Sequence, residues 1–334
     1  MATALRHSES GHRGSRLSDA EFRRLVDELK ARVLVSGVVG RKTRLKRSGR
    51  EHVGLCPFHQ EKTPSFTVVD ALEWAHCFGC GWHGDVIRFV MDVEGCGFRE
   101  AYRRLASDDL PQWTPQERAK AQAEERLERL EDEKDARRFF ADAVAVRGTP
   151  GDVYLRARGI TVELPATVRF GMIPSWRNKE TREWGRKRPA LVCGAQDASG
   201  CFVGIQRIFF PNDDPALGKA ECKLSLGTIR GSALRLGPPE PTIIMPEGPE
   251  DGFSIFQEGP GFPVWVPFGT SMLPQVEFPS IVRRIIIAGQ NNTAGRIASS
   301  KAALAVVERG LEAQQAWPAA EFDDWNDQLR ASAR

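Results

Sequence analysis

The chain has 334 residues, 41% hydrophobic and 27% charged, with 47 Lys and Arg against 44 Asp and Glu, a formal net charge of +3. That length predicts two or three domains with cores of their own, and the composition excludes a disordered or fibrous chain. No apolar run reaches the roughly 18 residues of a membrane-spanning helix, and Met1 to Ser18 lacks the apolar stretch of a signal peptide, so a cytoplasmic location without a membrane partner is expected.

Residues 1–18 read as a disordered lead. From Leu17 to Val39 apolar residues recur at helical spacing, with Ser18 as a cap followed three residues later by Glu21. The next stretch carries Arg41, Lys42, Arg44, Lys46, Arg47 and Arg50 with no acidic residue among them. It can act either as a solvated loop or as a patch neutralising phosphates. A compact segment rich in Gly, Cys and aromatics runs to about Ala106 and closes on helical patterns at Val86–Val93 and Phe98–Leu105. We assign 19–107 to one small domain. Residues 108–148 open on a proline break and continue as a charged helical linker. Strand patterns follow at Leu191–Cys193, Phe202–Phe210, Thr242–Met245, Val264–Val266 and Ile281–Ala288, with helical patterns at Asp251–Glu258 and Ala294–Glu312. Strand–helix alternation with Gly-rich turns predicts an α/β domain.

Of the seven cysteines, an odd number that argues against a disulfide framework, three join a histidine in a metal-ligand spacing. Cys56 and His59 are separated by two residues, as are Cys77 and Cys80, with 17 residues between the pairs. Two tight turns, each with two soft ligands, close a tetrahedral zinc shell and leave no position for water or substrate, so the site is structural. His76 and His83 fall outside this spacing and are assigned surface or packing roles.

The stretch from Gly49 to Ala106, with its CPFH, TPSF, CFGCG and GD elements, resembles the N-terminal zinc-binding domain of bacterial and phage DNA primases. The resemblance implies a ribbon lying against single-stranded DNA template. The cations Arg41, Lys42, Arg44, Lys46 and Arg47 would meet phosphates, and Phe66, Trp74 and Phe78, read as exposed, could stack on bases. Packing around the zinc is the competing reading for Phe66 and Phe78.

In the second half, Glu247 directly follows an apolar strand and precedes a Gly-Pro turn, a place for a metal-binding carboxylate; Glu250 and Asp251 suit the start of a helix, where their charge meets the dipole. The segments around Glu247 and RRIIIAGQNNTAGR resemble the Toprim fold shared by primases, topoisomerases and some nucleases. Toprim places a Glu after one strand and an Asp-x-Asp after a later one. Glu247 matches the first, whereas Gln290 and Asn292 stand where both aspartates are expected. The resemblance implies two Mg2+ or Mn2+ ions aligning a primer 3′-hydroxyl with the α-phosphate of the next nucleoside triphosphate. Amides supply no negative charge, so the cations should be held weakly and catalysis largely lost; a deliberate substitution is favoured over natural degeneration. Asp324, in the DDWND close of this resemblance, would aid a metal or cap the last helix. The segment before Toprim resembles the nucleotide- and template-binding subdomain of phage and plasmid primases, which points to Arg207, Lys219, Lys223 and Arg230 as phosphate contacts.

These readings combine into an α+β and α/β multidomain chain: a zinc ribbon, the helical linker, a basic primase subdomain over 149–240 and a Rossmann-like Toprim domain over 241–334. The expected function is DNA primase, synthesis of short primers on single-stranded DNA, with one structural zinc per chain and an impaired Toprim site. A non-catalytic primase-like DNA-binding or regulatory protein and a Toprim nuclease are the alternatives. No Walker P-loop occurs, so a replicative helicase would be a separate partner.

Overall fold

The computed structural model describes residues 19–106, 110–178, 181–259 and 261–332; the 1–18 lead and the Ser18 cap lie outside them. The chain divides into two compact units, the first ending at Gln122 and the second beginning at Ala123. Among the described residues no helix is long and apolar enough to cross a membrane.

In the first unit the helical stretch divides into α1 (Asp19–Arg32) and α2 (Val35–Val39) rather than running unbroken. Between them β-branched Val33 bridges to Gln112, and Leu34 is extended, with φ −69° and ψ 119°. An antiparallel meander follows, in spatial order β1 (Lys46–Ser48), β2 (Glu51–Gly54), β3 (Phe66–Val69), β4 (Trp74–Cys77) and β5 (His83–Gly84). Then come α3 (Val86–Glu94) and α4 (Phe98–Leu105). The Asp85 side chain accepts the Arg88 amide to start α3, and Gly95 at φ +61° ends it. Leu29, Val38, Val68, Ala75, Phe89 and Leu105 fill the core between helices and sheet.

Helix α5 (Pro115–Asp142) begins in the first unit and ends in the second. The sequence marks it as a solvated linker, yet its last turns are structural. Ala136 and Phe139 are buried, Asp132 pairs with Arg177 at 3.0 Å, and Asp135 accepts from the Trp184 indole at 3.0 Å.

The rest of the second unit holds two main sheets. The antiparallel one runs β10 (Cys222–Gly227), β9 (Phe202–Phe209), β8 (Lys187–Gln196), β7 (Val168–Pro174) and β6 (Val144–Ala145), with α6 (Pro150–Ala157) between β6 and β7 in sequence. The other is parallel, with β14 (Arg284–Ala288) between β12 (Thr242–Pro246) and β15 (Glu312–Ala316). A short ladder pairs β11 (Leu234–Arg235) with β13 (Trp265–Val266). Helices α7 (Pro249–Glu258), α8 (Thr293–Glu308) and α9 (Trp325–Ser332) complete the unit. One hydrophobic core, with Tyr154, Leu191, Ile208, Phe253, Val266 and Leu329, runs across position 240.

β15 corrects the helical pattern expected to continue to Glu312. Helix α8 stops at Glu308, Gly310 turns the chain at φ +77°, and Glu312–Ala316 pairs with β14. Its EAQQA sequence favours helix locally, and parallel pairing along an open edge overrides that preference.

Candidate functional site

In the first unit β4 ends on Cys77, and the turn after it delivers Cys80, while the loop after β2 delivers Cys56 and His59. Their ligand atoms all lie within 4.8 Å of one another. Cys56 Sγ is 3.9 Å from Cys80 Sγ, and Cys77 Sγ is 3.7 Å from His59 Nδ1. A tetrahedral zinc with Zn–S bonds of about 2.3 Å requires edges near 3.8 Å, so the four residues fit the ion through His59 Nδ1. The Phe58 and Cys80 amides point at Cys56 Sγ and Cys77 Sγ, at 3.4 and 3.3 Å, as donors to thiolates. Burial pushes the Cys56 thiol up to about 12, so zinc must displace a firmly held proton there. A Cβ at Gly79 would lie 2.6 Å from His59 Nε2, so a larger residue there would push the ligating imidazole aside.

Around the ligands sits a group that motif spacing does not reveal. Glu61 accepts the Cys56 amide at 2.7 Å, the Ser65 amide at 3.1 Å and the Ser65 hydroxyl at 2.5 Å, and its Oε2 lies 3.3 Å from His59 Nε2. The Ser65 hydroxyl is also 3.2 Å from Cys77 Sγ. Burial opposes ionisation of Glu61, but these hydrogen bonds outweigh it and bring its pKa below the ordinary carboxylate value. The carboxylate thereby fixes the imidazole tautomer that leaves Nδ1 free to ligate.

Phe66 is a correction to the expected exposed aromatics: it is fully buried, against Phe58, Trp82 and Phe89. Its position on β3, paired with Cys77, turns it into the core beneath the metal site. Phe78 is 63% exposed. The rings of Trp74, His83, His76 and Phe78 form a row with successive centroid separations of 5.4, 6.3 and 4.6 Å. Arg41, Lys42, Arg44, Lys46 and Arg47 are all exposed, in and before the edge strand β1. Lys42 pairs with Glu94 at 2.9 Å, and Arg47 Nε donates to the Gly49 carbonyl at 3.1 Å.

In the second unit the parallel pairing of β12 and β14 brings Glu247 beside Gln290, each just past its strand's C-terminal end. Glu247 is 7% exposed, accepts from Thr270 Oγ1 at 3.4 Å through Oε2, and has a buried Oε1 with no hydrogen-bond partner. Burial raises its pKa, with the Thr270 and Gln290 hydrogen bonds working the other way. A cation would satisfy that orphaned oxygen, but the neighbouring positions do not complete a site. Gln290 Oε1 accepts from Asn292 Nδ2 at 3.1 Å, and Gln290 Nε2 donates to Asp251 Oδ2 at 2.8 Å. Asn292 Oδ1 caps α8 by accepting the Gly295 amide at 2.8 Å. Asp324 caps α9 in the same way, accepting the Asp327 amide at 2.8 Å. Among the described residues, the zinc set is the only group of three or more His, Cys, Asp and Glu ligand atoms that converges. The residues present do not fit a pair of divalent cations.

Asp251 is the residue the sequence undervalues. Read as a helix-start charge, it is 4% exposed and sits between Gln290 and the Asn326 amide. Burial, reinforced by the charges of Asp324 and Glu250, pushes its pKa up to about 7 against the Gln290 hydrogen bond. Its neighbour Glu250 accepts from Tyr154 at 2.7 Å and pairs with Lys223. Burial of Glu250 is outweighed by the Lys223 charge, so its pKa falls. Of the four expected phosphate contacts, Lys219, Lys223 and Arg230 are exposed. Arg207 departs from its expected role: it is 4% exposed, and its guanidinium donates to the Pro174, Leu224 and Ser225 carbonyls at 2.7, 3.2 and 3.1 Å. It stands in the middle of the antiparallel sheet, opposite Val192 and Leu224.

Residues 22–120 match the CHC2 zinc finger family and residues 242–334 the Toprim domain family, while 131–236 match a domain family of unknown function. The chain thus carries one segment similar to the CHC2 zinc finger family and another similar to the Toprim family. It is also similar in part to bacterial DNA primases. It is 32% identical to the DNA primase of Enterococcus faecalis over 209 residues, 57% of this chain and 33% of that protein. To the DNA primase of Rickettsia felis it is 40% identical over 150 residues, 44% of this chain and 24% of that protein. The chain thus spans a third or less of the length of these two relatives. The Aquifex aeolicus primase structure, comprising zinc-binding and RNA polymerase domains, aligns over 92% of this chain and 82% of its own at 19% identity, with a TM-score of 0.44.

Proposed function

We propose that this chain is a primase-type protein that engages single-stranded DNA through its zinc ribbon and nucleoside triphosphates through its second unit, and that its Toprim site supports little or no primer synthesis. The observation that carries the reading is the pairing, in one chain, of a closed Cys3His zinc set with a Glu247 that heads a Toprim-like parallel sheet. The DNA primase relatives support the same assignment. The cations from Arg41 to Arg47 would take phosphates, and Phe78 with Trp74 would stack on bases. Lys219, Lys223 and Arg230 are the remaining candidates for triphosphate contacts. Residues 149–240 would form the nucleotide- and template-binding subdomain and 241–334 the Toprim domain, in a cytoplasmic replication protein served by a separate helicase. The loss of activity follows from Gln290 and Asn292, whose amides replace the two carboxylates that phosphoryl transfer through divalent cations needs.

The test restores both positions as Gln290→Asp with Asn292→Asp and assays primer synthesis on single-stranded templates with Mg2+ or Mn2+. Synthesis by the double variant and little or none by the unmodified chain is expected. A double variant that binds template but makes no primer would overturn the polymerase reading in favour of a non-catalytic binding protein; cleavage of the template would instead identify a nuclease.

A further inference from the structure

The disagreement between the residues present and a divalent-cation site has a structural consequence. From Gln290, a continuous hydrogen-bonded chain crosses the second unit where carboxylates and a metal are expected. Asn292 Nδ2 donates to Gln290 Oε1, and Gln290 Nε2 donates to Asp251 Oδ2, at 3.1 and 2.8 Å. Asp251 Oδ1 accepts the Asn326 amide at 3.4 Å. The Asn326 side chain then donates to Ser254 Oγ at 2.9 Å and to the Arg158 carbonyl at 3.0 Å, and accepts from Arg158 Nη1 at 2.9 Å. Asp251, Ser254 and Asn326 are 4%, 1% and 1% exposed, so water does not substitute for these partners.

We propose that Gln290 has turned this site into a cation-independent brace, its amide bridging the β14–α8 turn to Asp251 on α7 and, through Asn326, to α9 and the end of α6. The bridge needs a donor at position 290. An aspartate there is one methylene shorter, offers no donor, and sets a second carboxylate towards the buried Asp251 oxygen. Above pH 7, where the Asp251 carboxyl is ionised, that like-charge approach costs stability unless a cation separates the pair. The inference uses the Toprim reading of position 290 only to choose aspartate as the replacement. Its test reads stability, so a restored chain that makes no primer leaves it untouched.

Thermal unfolding of the full-length, zinc-loaded chain is followed at pH 8.5 without chelator, in 0 and 10 mM MgCl2, for the unmodified protein, Gln290→Asp and Gln290→Ala. The unmodified chain should keep its Tm within about 1 °C. Gln290→Asp should fall by roughly 3–8 °C and recover most of that in Mg2+. Gln290→Ala, which loses the bridge without adding charge, should fall by about 2–5 °C with no Mg2+ recovery. Should the aspartate variant not fold, the alanine variant and Mg2+ titration calorimetry on the unmodified chain decide. A rise of several degrees or a binding heat for the unmodified chain in Mg2+, an alanine variant as stable as its parent, or an aspartate variant indifferent to Mg2+ would each overturn the brace.

Discussion

Glu61→Gln isolates what the carboxylate beside the zinc site contributes. With its carbonyl in the place of Oε1, glutamine keeps the Cys56 and Ser65 amides, now 2.7 and 3.1 Å from that oxygen. The amide nitrogen then replaces Oε2, which accepts the Ser65 hydroxyl and faces His59 Nε2 at 3.3 Å. With Nδ1 on the metal, Nε2 carries the proton, so two donors confront each other and the imidazole loses its anchor. The Ser65 hydroxyl, 3.2 Å from Cys77 Sγ, loses its acceptor in the same step. Loss of such a partner weakens metal binding by about 10- to 100-fold, or about 1.4–2.7 kcal/mol. Glu61→Ala also strips both amides and should cost more. Competition for zinc against a chromophoric chelator at pH 7 measures the affinity, and stopped-flow transfer to the same chelator measures release. A Glu61→Gln protein within twofold of its parent in both would refute the idea that this carboxylate orients His59.

Phe66→Ala should destabilise the zinc-loaded first unit by about 3–5 kcal/mol, because the ring is fully buried among Phe58, Trp82 and Phe89; the denaturant midpoint at which zinc is released reports it. Asp251 gives a pH signature. Its folded pKa near 7 lies above the ordinary 3.8, so between about pH 4 and 7 the folded state holds a proton that the unfolded state has lost. Stability therefore declines as pH rises through that window, and the cost, on the order of a few kcal/mol, is complete above pH 7. Chemical denaturation at pH 5 and pH 8 should show a smaller difference for Asp251→Asn than for its parent, and equal differences would contradict the assignment. Replacing Arg44, Lys46 and Arg47 together with alanine should flatten the log K against log[salt] slope for single-stranded DNA by about 2, at roughly 0.7 for each phosphate no longer neutralised. An unchanged slope would remove those three side chains from the proposed DNA interface.

What can be read along the chain is what is local to it. Cys56 with His59 and Cys77 with Cys80 announce themselves because each pair shares one turn, and α3 and α4 because their apolar faces repeat within a few residues. Glu61 is in plain view but silent, since its meaning depends on where Ser65 and His59 fold back. Phe66 is an aromatic in a polar stretch, and only the pairing of β3 with β4 turns it inwards. Arg207 looks like a phosphate ligand until β8 and β10 flank its strand and three carbonyls enclose its guanidinium. Asp251 meets Gln290 across 39 residues of sequence because α7 packs on β12, the parallel neighbour of β14, an approach that neither position advertises. The EAQQA strand reads as helix because its residues prefer helix and only an open sheet edge recruits them otherwise.

The two kinds of sheet also imply an order of events during synthesis. Each strand of the β1–β5 meander pairs with its sequence neighbour, so the ribbon can close and capture zinc once residue 84 and the helices behind it have left the ribosome. The parallel sheet cannot follow that schedule. Its central strand, β14, bonds to β12 some forty residues earlier and to β15 almost thirty residues later, and until residue 316 emerges one flank of β14 stays bare. Distant pairings form slowly and leave sticky strand edges exposed meanwhile. A nascent chain stalled between residues 288 and 312 should therefore be zinc-loaded and protease-resistant at its front while remaining chaperone-dependent behind.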